Sequence, residues 1–357
     1  MRQRVGAPML VQDISTRTAP MDTPPLHRRS LLRAGVCLAL APWLAPAASF
    51  AAPERARLSI AVPQLADMAQ LPLVVADSLG FFRAAGLEIS WVEGDGAGEV
   101  GVGPYEQILQ AQGRGPMHQA FVSLGRAPGL ALGFASRAMP QARQVSDLRG
   151  RRVGVAASGS TAHLMLQTLS LRAGLAPSEW QLVALGGSAG AIQALRAGQV
   201  DALCWGEPVM TLLEQRGELR IAGEARTLKG AEAVFGGPMP GVCLHATQAF
   251  VLRNPATCQA LATGVVRALR WLQTAGPRDI LRTVPEPYLM GDLGLYLAAF
   301  ERVRESYSTD GLISAEAGRT ALRALAALEP GMRAERIDLT RSYTNAFARL
   351  AGERGRA

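Results

Sequence analysis

Three glycine-rich stretches of the sequence could hold a small polar ligand with their main chain. They read "GDGAG" at 94–98, "ASGSTAH" at 157–163 and "GGSAG" at 186–190. At the start of a helix the first N–H groups lack intrahelical partners, and the helix dipole adds about half a positive charge. Bare glycine lets a ligand approach such a backbone, so anions and polar oxygens bind readily there. Each stretch could instead be a tight turn with a Ser or Thr cap, but three facing one cleft would favour ligand recognition.

Side chains that directly follow predicted strands could complete such a site. Glu207, in "CWGEP" beside Trp205, could accept a hydrogen bond from a ligand amine, or it could stabilise the first turn of the next helix. Tyr105 holds nearly the corresponding place earlier in the chain. The residues after the first predicted strand that could line the same cleft are Gln64, Asp67 and Met68.

Other kinds of chemistry are not predicted. No two histidines have the spacing of metal ligands on a helix, and no carboxylate cluster accompanies them, so neither a metal nor a cofactor is expected. A catalytic triad is not expected either, because the chain is expected to lack the G-x-S-x-G pattern of a nucleophile elbow. The phosphate-binding motif G-x-x-x-x-G-K-[ST] is absent, so the chain is not itself an ATPase.

The elements that would position these groups occur twice in the same order. The first unit has a strand at 58–62, a helix from Pro72, the turn "RAAGL" at 83–87 and a strand at 88–93. The second unit has a strand at 153–157, a helix from Thr161, "RAGL" at 172–175, a strand at 181–185, a helix at 189–197 and a strand at 200–205. Alternating strands and helices predict parallel sheets with helices on their faces. Ligand crevices of such sheets lie at the carboxyl ends of the strands.

One connection differs between the two units. In the second unit, residues 186–199 join successive strands and include a helix, whereas the first unit has only residues 94–99 for this step. A crossover between parallel strands needs about a dozen residues. Either Val100–Val102 is therefore not a strand of the expected kind, or this edge of the first lobe is rearranged.

The chain is predicted to be an α/β protein of two lobes around a central cleft. Residues 53–138 and 245–357 are expected to form lobe one and residues 146–240 lobe two, with hinge crossings at 139–145 and 241–244. From Ala256 onward, apolar residues recur at three- and four-residue steps. This pattern predicts a C-terminal region of helices, with further helices near 291–304, 315–328 and 337–350.

The first 51 residues have the character of a secretory leader rather than of a folded domain. Arg28 and Arg29 precede an apolar run at 34–44 and small residues at 45–52. The run is shorter than the roughly 20 residues that span a bilayer. Paired arginines are typical of the twin-arginine export route, although an ordinary secretory leader could contain them by chance. The mature protein is therefore expected in the periplasm.

Composition argues against several classes of protein. The formal net charge of the chain is +8, part of which lies in the leader, and no basic run is interleaved with aromatic residues. Nucleic acid is therefore not an expected partner. Cys204, Cys243 and Cys258 follow the leader with no C-x-x-C spacing, so buried free thiols are expected, with one disulfide bridge left open.

The order of these motifs resembles that of the substrate-binding proteins of nitrate, sulfonate and taurine ABC importers. The runs that carry the resemblance are "LPLVVADSLGFFRAAGLEISWVEGDG" at 71–96, "DLRGRRVGVAASGSTAH" at 147–163, "ALRAGQVDALCWGEPVMTLL" at 194–213 and "YSTDG" at 307–311. The resemblance implies a type II periplasmic-binding-protein fold, with the C-terminal helices packed on lobe one. It also implies a small-molecule ligand in the cleft and a membrane permease with a separate ATPase as partners. A monomer is expected.

The ligand-contacting loops of that family correspond here to Gln64, Gly96, "SGST" at 158–161 and Glu207. Together with the residues found above, they give one expected set of ligand-binding residues. That set is Gln64, Asp67, Gly96, Tyr105, Ser158, Ser160, Thr161, His163, Gly187, Ser188, Trp205 and Glu207.

Relatives of this fold also include enzymes, namely thiamine-pyrimidine synthases, which use pyridoxal phosphate, and menaquinone-pathway enzymes. Lys229 is the only lysine that could form a Schiff base, and it lies in a predicted solvated loop. We therefore expect a solute-binding protein for a sulfonate, a nitrate-like anion or a pyrimidine or amine, and not an enzyme. An enzyme of the same fold and a ligand-sensing subunit of a signalling system are the alternatives.

Overall fold

The computed structural model of the protein describes residues 52–94, 97–112, 114–328 and 331–354. The predicted leader at 1–51 and Gly96 lie outside these ranges. Within them, no helix is long and apolar enough to cross a membrane. The three cysteines of these ranges are buried free thiols, which confirms the first expectation for them.

The strands carry the two sheets of the fold. They are β1 Arg57–Val62, β2 Glu88–Glu93, β3 Val100–Pro104, β4 His118–Ser123, β5 Leu130–Ala135, β6 Arg152–Val155, β7 Gln181–Ala184, β8 Ala202–Gly206, β9 Leu219–Ala225 and β10 Val242–Thr247. Strand β1 shows why these segments are extended, because Leu58, Ile60 and Val62 are buried on one face while the residues between them are less so.

The helices follow the strands and then fill the C-terminal part of the chain. They are α1 Leu71–Ser78, α2 Phe81–Ala84, α3 Tyr105–Ala111, α4 Thr161–Arg172, α5 Ser188–Arg196, α6 Val209–Gln215, α7 Leu228–Phe235, α8 Gln248–Arg253, α9 Pro255–Thr274, α10 Pro277–Thr283, α11 Leu293–Val303, α12 Ala315–Leu328, α13 Leu339–Ser342 and α14 Ala346–Arg354.

Each lobe is built on one five-stranded sheet, and the two sheets share one plan. Lobe one has the strand order β2-β1-β3-β10-β4, and lobe two has the order β7-β6-β8-β5-β9. In each sheet the first three strands are parallel and the fourth is antiparallel to both neighbours. The predicted repeat is thus real, and the fourth strand of each lobe comes from beyond a crossing of the chain. This is the two-lobed type II periplasmic-binding-protein fold that the sequence predicts.

The chain changes lobes earlier than predicted. Strand β5 pairs with β8 and β9, so it belongs to lobe two, and the first crossing lies between Ser123 and Leu130 rather than at 139–145. The return crossing lies between β9 and β10, and therefore ends where Val242 begins β10. The error has a physical source. Strand β5 is as apolar as the strands of lobe one, and only its pairing with β8 and β9 shows that it belongs to lobe two.

The short connection in lobe one is a direct crossing of the sheet. Gly94 N–H donates to the Val62 carbonyl at 3.1 Å, and Glu99 N–H donates to the Ser59 carbonyl at 3.0 Å. Six residues join β2 to β3, and this number is sufficient because an extended chain can span about 3.3 Å per residue, whereas two strand spacings are only about 10 Å. Both predicted alternatives are wrong: Val100–Pro104 is a strand parallel to β1, and the strand order matches that of lobe two.

Gly98 makes this crossing possible. A Cβ atom at this position would lie 2.4 Å from the backbone nitrogen of Ala61 in β1. The crossing chain therefore rests directly on the sheet, where lobe two has helix α5.

The C-terminal helices pack mainly on lobe one. Helix α9 lies against α1, α2 and α14 and is buried along much of its length. Helix α12 reaches further, because it contacts α3 of lobe one and also α4 and α7 of lobe two. The predicted helix at 337–350 is divided, since Tyr343 forms a bridge to Ala120 of β4 and leaves α13 and α14 on either side.

Candidate functional site

A cavity of about 630 Å³ lies between the two lobes, at the carboxyl ends of β1, β3, β6 and β8. Lobe one contributes the loop that follows β1, and lobe two contributes the starts of α4 and α5 and the end of β8. The first crossing of the chain, around residues 125–130, forms another wall. The predicted site residues that line the cavity are Gln64, Asp67, Ser160, Thr161, Gly187, Trp205 and Glu207.

The start of α4 presents Ser160 and Thr161 to the cavity. Ser160 is the N-cap: its Oγ accepts from His163 N–H at 3.3 Å and donates to the Ala157 carbonyl at 2.7 Å. Gly159 precedes the cap with a φ of +76°, a conformation that favours glycine. The imidazole of His163 folds back, where its Nδ1 accepts from Gly159 N–H at 3.0 Å.

The glycines at the start of α5 are needed mainly for the backbone conformation of the turn. Gly186 has a φ of +69°, and a Cβ on Gly190 would lie 2.6 Å from the Leu185 carbonyl oxygen. Both positions therefore need glycine for the tight turn itself. Gly187 is different, because it lines the cavity and a Cβ there would approach Gln64 Oε1 of the other lobe at 3.4 Å.

Asp67 and Ser188 join the two lobes across the cavity. Ser188 Oγ donates to Asp67 Oδ1 at 3.2 Å, and the indole N–H of Trp205 donates to the same Oγ at 3.4 Å. Burial raises the pKa of Asp67 to about 6, the hydrogen bond from Ser188 opposes that rise, and the nearby Glu93 carboxylate adds to it. The loop after β1 and the start of α5 are thus in direct contact.

Glu207 has its carboxylate fully engaged inside lobe two. The guanidinium of Arg226 donates to Glu207 Oε1 at 2.9 Å, and Thr211 N–H donates to Oε2 at 2.8 Å. The Glu207 side chain is completely buried. Of the two roles expected from the sequence, the structure therefore favours stabilisation of the first turn of α6 over contact with a ligand.

Four other predicted residues do not line the cavity, and one of them, Ser188, contacts Asp67, which does. Tyr105 is completely buried, with its hydroxyl bonded to Ser342 Oγ and its ring edge-on to Tyr343, so the prediction that it faces the cleft is wrong. His163 packs edge-on against Trp180, and burial lowers the pKa of its imidazole. Ser158 is exposed outside the cavity.

Several lining residues were not predicted from the sequence. Tyr105 and Gln107 are two positions apart on α3, which places them on different faces of the helix, so Gln107 faces the cavity where Tyr105 does not. Gln70 also lines the cavity, and its Oε1 has no hydrogen-bond partner among the described residues. The apolar wall combines the predicted Met68 and Trp205 with Leu130, Val242, Val303 and Tyr307, which were not predicted.

Glu106 is a buried carboxyl beside the cavity. Its residue is 1% exposed, and neither carboxylate oxygen has a partner of good hydrogen-bond geometry among the described residues. Burial raises its pKa to about 7, although the nearby Thr161 hydroxyl acts in the opposite direction. Because Glu106 belongs to α3 of lobe one and Thr161 begins α4 of lobe two, this carboxyl lies where the lobes meet.

Hydrolytic and Schiff-base chemistry find no support in the site. Residues 186–190, "GGSAG", do fit the G-x-S-x-G pattern, contrary to the expectation that the chain lacks it. A nucleophile elbow is a strained turn, but Ser188 has no positive φ, and no histidine is among the described residues that line the cavity. Lys229 is exposed on α7, outside the cavity. The described residues also contain no group of three metal-ligating side chains.

A protein-family comparison matches residues 68–276 to the family described as "NMT1/THI5 like". The chain belongs to the NMT1/THI5-like family. This result confirms the family resemblance found in the sequence. No curated protein sequence matches the chain significantly.

Several solved structures have the same fold. A protein from Bordetella bronchiseptica RB50 is 37% identical, with a TM-score of 0.82, over 86% of this chain and 100% of the other. The alkanesulfonate-binding protein SsuA from Xanthomonas axonopodis pv. citri, bound to MOPS, is 20% identical, with a TM-score of 0.63, over 83% and 100%. The periplasmic nitrate-binding protein NrtA from Synechocystis PCC 6803 is 12% identical, with a TM-score of 0.64, over 85% and 90%.

The fold is not restricted to binding proteins. The desulfurization enzyme DSZB is 16% identical to the chain, with a TM-score of 0.56, over 83% of this chain and 99% of the enzyme. At this identity the likeness concerns the fold alone. The residues of the cavity must therefore carry the argument about function.

Proposed function

We propose that the chain is an extracytoplasmic solute-binding protein, which captures a small polar solute between its lobes and delivers it unchanged to an ABC importer in the membrane. The observation that carries this proposal is the contact between Asp67 of lobe one and Ser188 of lobe two across a cavity of about 630 Å³. That volume lies in the range of small-molecule sites. Family membership and the resemblance of the fold to SsuA and NrtA support the same role.

The mechanism is a shift between open and closed arrangements of the lobes. A solute that contacts both lobes at once binds the closed arrangement better than the open one, and it shifts the equilibrium by that difference in affinity. Gln64 and Asp67 supply contacts from lobe one, while Thr161 and Gly187 supply them from lobe two. The solute classes that we propose are sulfonates, nitrate-like anions and pyrimidines or amines, with a permease and a separate ATPase as partners.

Trp205 provides the test. It lines the cavity and is hydrogen-bonded to Ser188, so an occupied cavity should change its fluorescence, and closure should lower the radius of gyration measured by X-ray scattering. We expect both signals from the same compound when the purified protein is titrated with sulfonates, nitrate, bicarbonate, pyrimidines and amines. The variant Trp205→Phe should lose most of the fluorescence signal and keep the scattering change. No compaction and no thermal shift with any of these compounds would contradict the proposal.

Two further measurements bear on the alternatives. Recovery of a bound compound chemically unchanged after incubation supports a binding protein, whereas its conversion by the purified protein would establish an enzyme.

Export is tested separately by replacing Arg28 and Arg29 with lysine. Twin-arginine export predicts that the protein then accumulates inside the cell, while an ordinary secretory leader predicts no change.

A further inference from the structure

Asp67 is a carboxylate without a cationic partner. It lies half-buried in the loop after β1, and the hydrogen bond that it accepts comes from the neutral hydroxyl of Ser188. Glu93, the nearest interacting charge, is also acidic, and its carboxylate accepts from Leu65 N–H at 2.8 Å. Among the described residues, neither acid takes part in an ion pair, so this end of the cavity is electronegative.

The rest of the cavity does not supply the missing positive charge. No arginine, lysine or histidine is among the described residues of its lining. The second lining acid, Glu207, is already neutralised by Arg226 within lobe two. Gln70 adds an amide oxygen that has no partner among the described residues. The described walls therefore offer an anion only the N–H groups at the starts of α4 and α5 and neutral side-chain donors, with no cationic side chain.

An unpaired carboxylate in a partly dry cavity is unfavourable for the free protein. Withdrawing a charge from water is unfavourable unless an opposite charge or hydrogen-bond donors replace the water. A bound anion would add a second negative charge beside Asp67 and would find backbone dipoles and neutral donors such as Thr161, but no cationic side chain among the described residues of the lining, to offset it. A bound cation would remove the penalty, and the apolar wall around Trp205 would receive the remainder of the molecule.

We propose that the ligand of this cavity carries a protonated nitrogen, as an ammonium, an amidinium or a protonated heteroaromatic amine, which pairs with the carboxylate of Asp67. The apolar body of the ligand lies against Trp205, Leu130 and Val303. This inference rests on the proposed solute-binding function and selects among its solute classes. It makes Asp67 the residue that excludes simple sulfonates and nitrate.

Three probes that share one benzene ring and differ in charge test this proposal. They are benzamidine, which is a cation, benzamide, which is neutral, and benzenesulfonate, which is an anion. For the purified protein we expect calorimetry to give benzamidine the highest affinity, by about tenfold or more over benzenesulfonate, because a hydrogen bond to a charged group is worth about that factor. The variant Asp67→Asn should abolish this preference. Glu88→Gln removes the same charge from an exposed position of lobe one and should leave the preference intact.

A second readout does not depend on any probe. If the partner of Asp67 is a cationic ligand, its carboxylate is unpaired in the free protein. Asp67→Asn should then raise the melting temperature of the free protein at pH 8, since it removes an unpaired charge. If Asp67 serves only to hold Ser188, the same variant should lower the melting temperature. Glu88→Gln should change it little.

The outcomes separate this inference from the proposed function. Tighter binding of benzenesulfonate than of benzamidine, or a lower melting temperature of Asp67→Asn, would overturn the inference. Closure of the lobes around a sulfonate or nitrate would also overturn it, yet would support solute binding. A higher melting temperature of Asp67→Asn, together with a cation preference lost in that variant, would support both.

Discussion

Arg226 is a buried cation in the interior of lobe two, where it is surrounded by three carboxylates. Its side chain is 5% exposed and donates to the completely buried carboxylate of Glu207. It also pairs with Glu224 and approaches Glu214 at 3.7 Å. The surrounding acids raise the pKa of Arg226, although burial opposes that rise, so the guanidinium stays charged.

Replacing Arg226 with methionine should therefore destabilise the protein strongly. The buried Glu207 carboxylate would lose its partner, and breaking a buried pair on one side costs about 3–5 kcal/mol. Urea unfolding measures the loss. Arg196→Met breaks the more exposed pair with Glu218 and should cost less than about 1 kcal/mol. The double variant Arg226→Met/Glu207→Gln should recover much of the loss, and equal stabilities for Arg226→Met and Arg196→Met would contradict this account.

Glu106 should give the protein a distinct pH dependence. Its pKa is raised from its usual 4.5 to about 7, so the folded protein keeps a proton that the unfolded chain releases between these values. The free energy of unfolding should therefore fall as pH rises from about 4.5 to about 7, by roughly 3 kcal/mol, and level off above pH 7. Glu106→Gln should remove this step and be more stable than the wild type at pH 8.

Urea unfolding between pH 5 and pH 8 measures the difference between wild type and Glu106→Gln. Subtraction of the two curves removes the contributions of Asp67 and the histidines. Glu218→Gln is the control, because hydrogen bonds from Arg196 lower the pKa of Glu218 from its usual 4.5, so its contribution to stability changes only below pH 4.5 and its profile between pH 5 and pH 8 should run parallel to that of the wild type. A pH profile of Glu106→Gln parallel to that of the wild type would show that Glu106 is ionised throughout.

At the scale of elements, the direct crossing from β2 to β3 is the feature that most distinguishes lobe one from lobe two. Gly98→Ala would place a Cβ atom 2.4 Å from Ala61 N in β1, and backbone on both sides prevents an easy shift. We expect a loss of about 1–3 kcal/mol in the free energy of unfolding, as for other overpacked sites. Gly115→Ala meets no atom within 4 Å and serves as the matched control. Equal stabilities of the two variants would mean that the crossing does not rest on the sheet.

The same element shows how a fold tolerates the loss of a helix. Helix α5 covers part of the sheet in lobe two and buries Ala191, Ala194 and Leu195. At the corresponding face of lobe one, β1 and β3 present the small residues Ser59, Ala61 and Gly101, and His245 lies over Gly101. Small side chains keep the uncovered face from exposing large apolar groups, so lobe one keeps its strand order without the helix.

At the scale of the whole molecule, Ser188 should control how readily the lobes close. It is the side chain of lobe two that bonds Asp67 of lobe one, and it also accepts from Trp205. Ser188→Ala should weaken the affinity for any solute that closes the lobes by about tenfold, because a hydrogen bond to a charged group is lost from the closed arrangement alone. Calorimetry measures the affinity and X-ray scattering the compaction. Ser158→Ala, outside the cavity, should behave as the wild type, and equal affinities for both variants would place the closing contact elsewhere.

The sequence by itself determined the local parts of this protein. Periodicity and punctuation located the repeated βα units, most of the helices from Pro255 onward, and the turns whose glycines have positive φ, because these features depend on neighbouring residues in the chain. The same reasoning placed Gln64, Asp67, Thr161 and Gly187 at strand ends, and these residues do meet in one cavity. Parallel α/β sheets bring such ends together whatever their separation in sequence.

Only the tertiary structure decided which lobe contains β5, how the chain crosses β1 in six residues, and which polar side chains face the cavity. Strand pairing joins segments that are distant in the sequence, so the residues of an apolar strand do not show which sheet it belongs to. The direction of a side chain depends on partners that lie far away in sequence. The hydroxyl of Tyr105 is hydrogen-bonded to Ser342 in the core, and the carboxylate of Glu207 accepts from Arg226. Asp67 was left with no charged partner among the described residues, and that could be seen only once every neighbour of the cavity was in place.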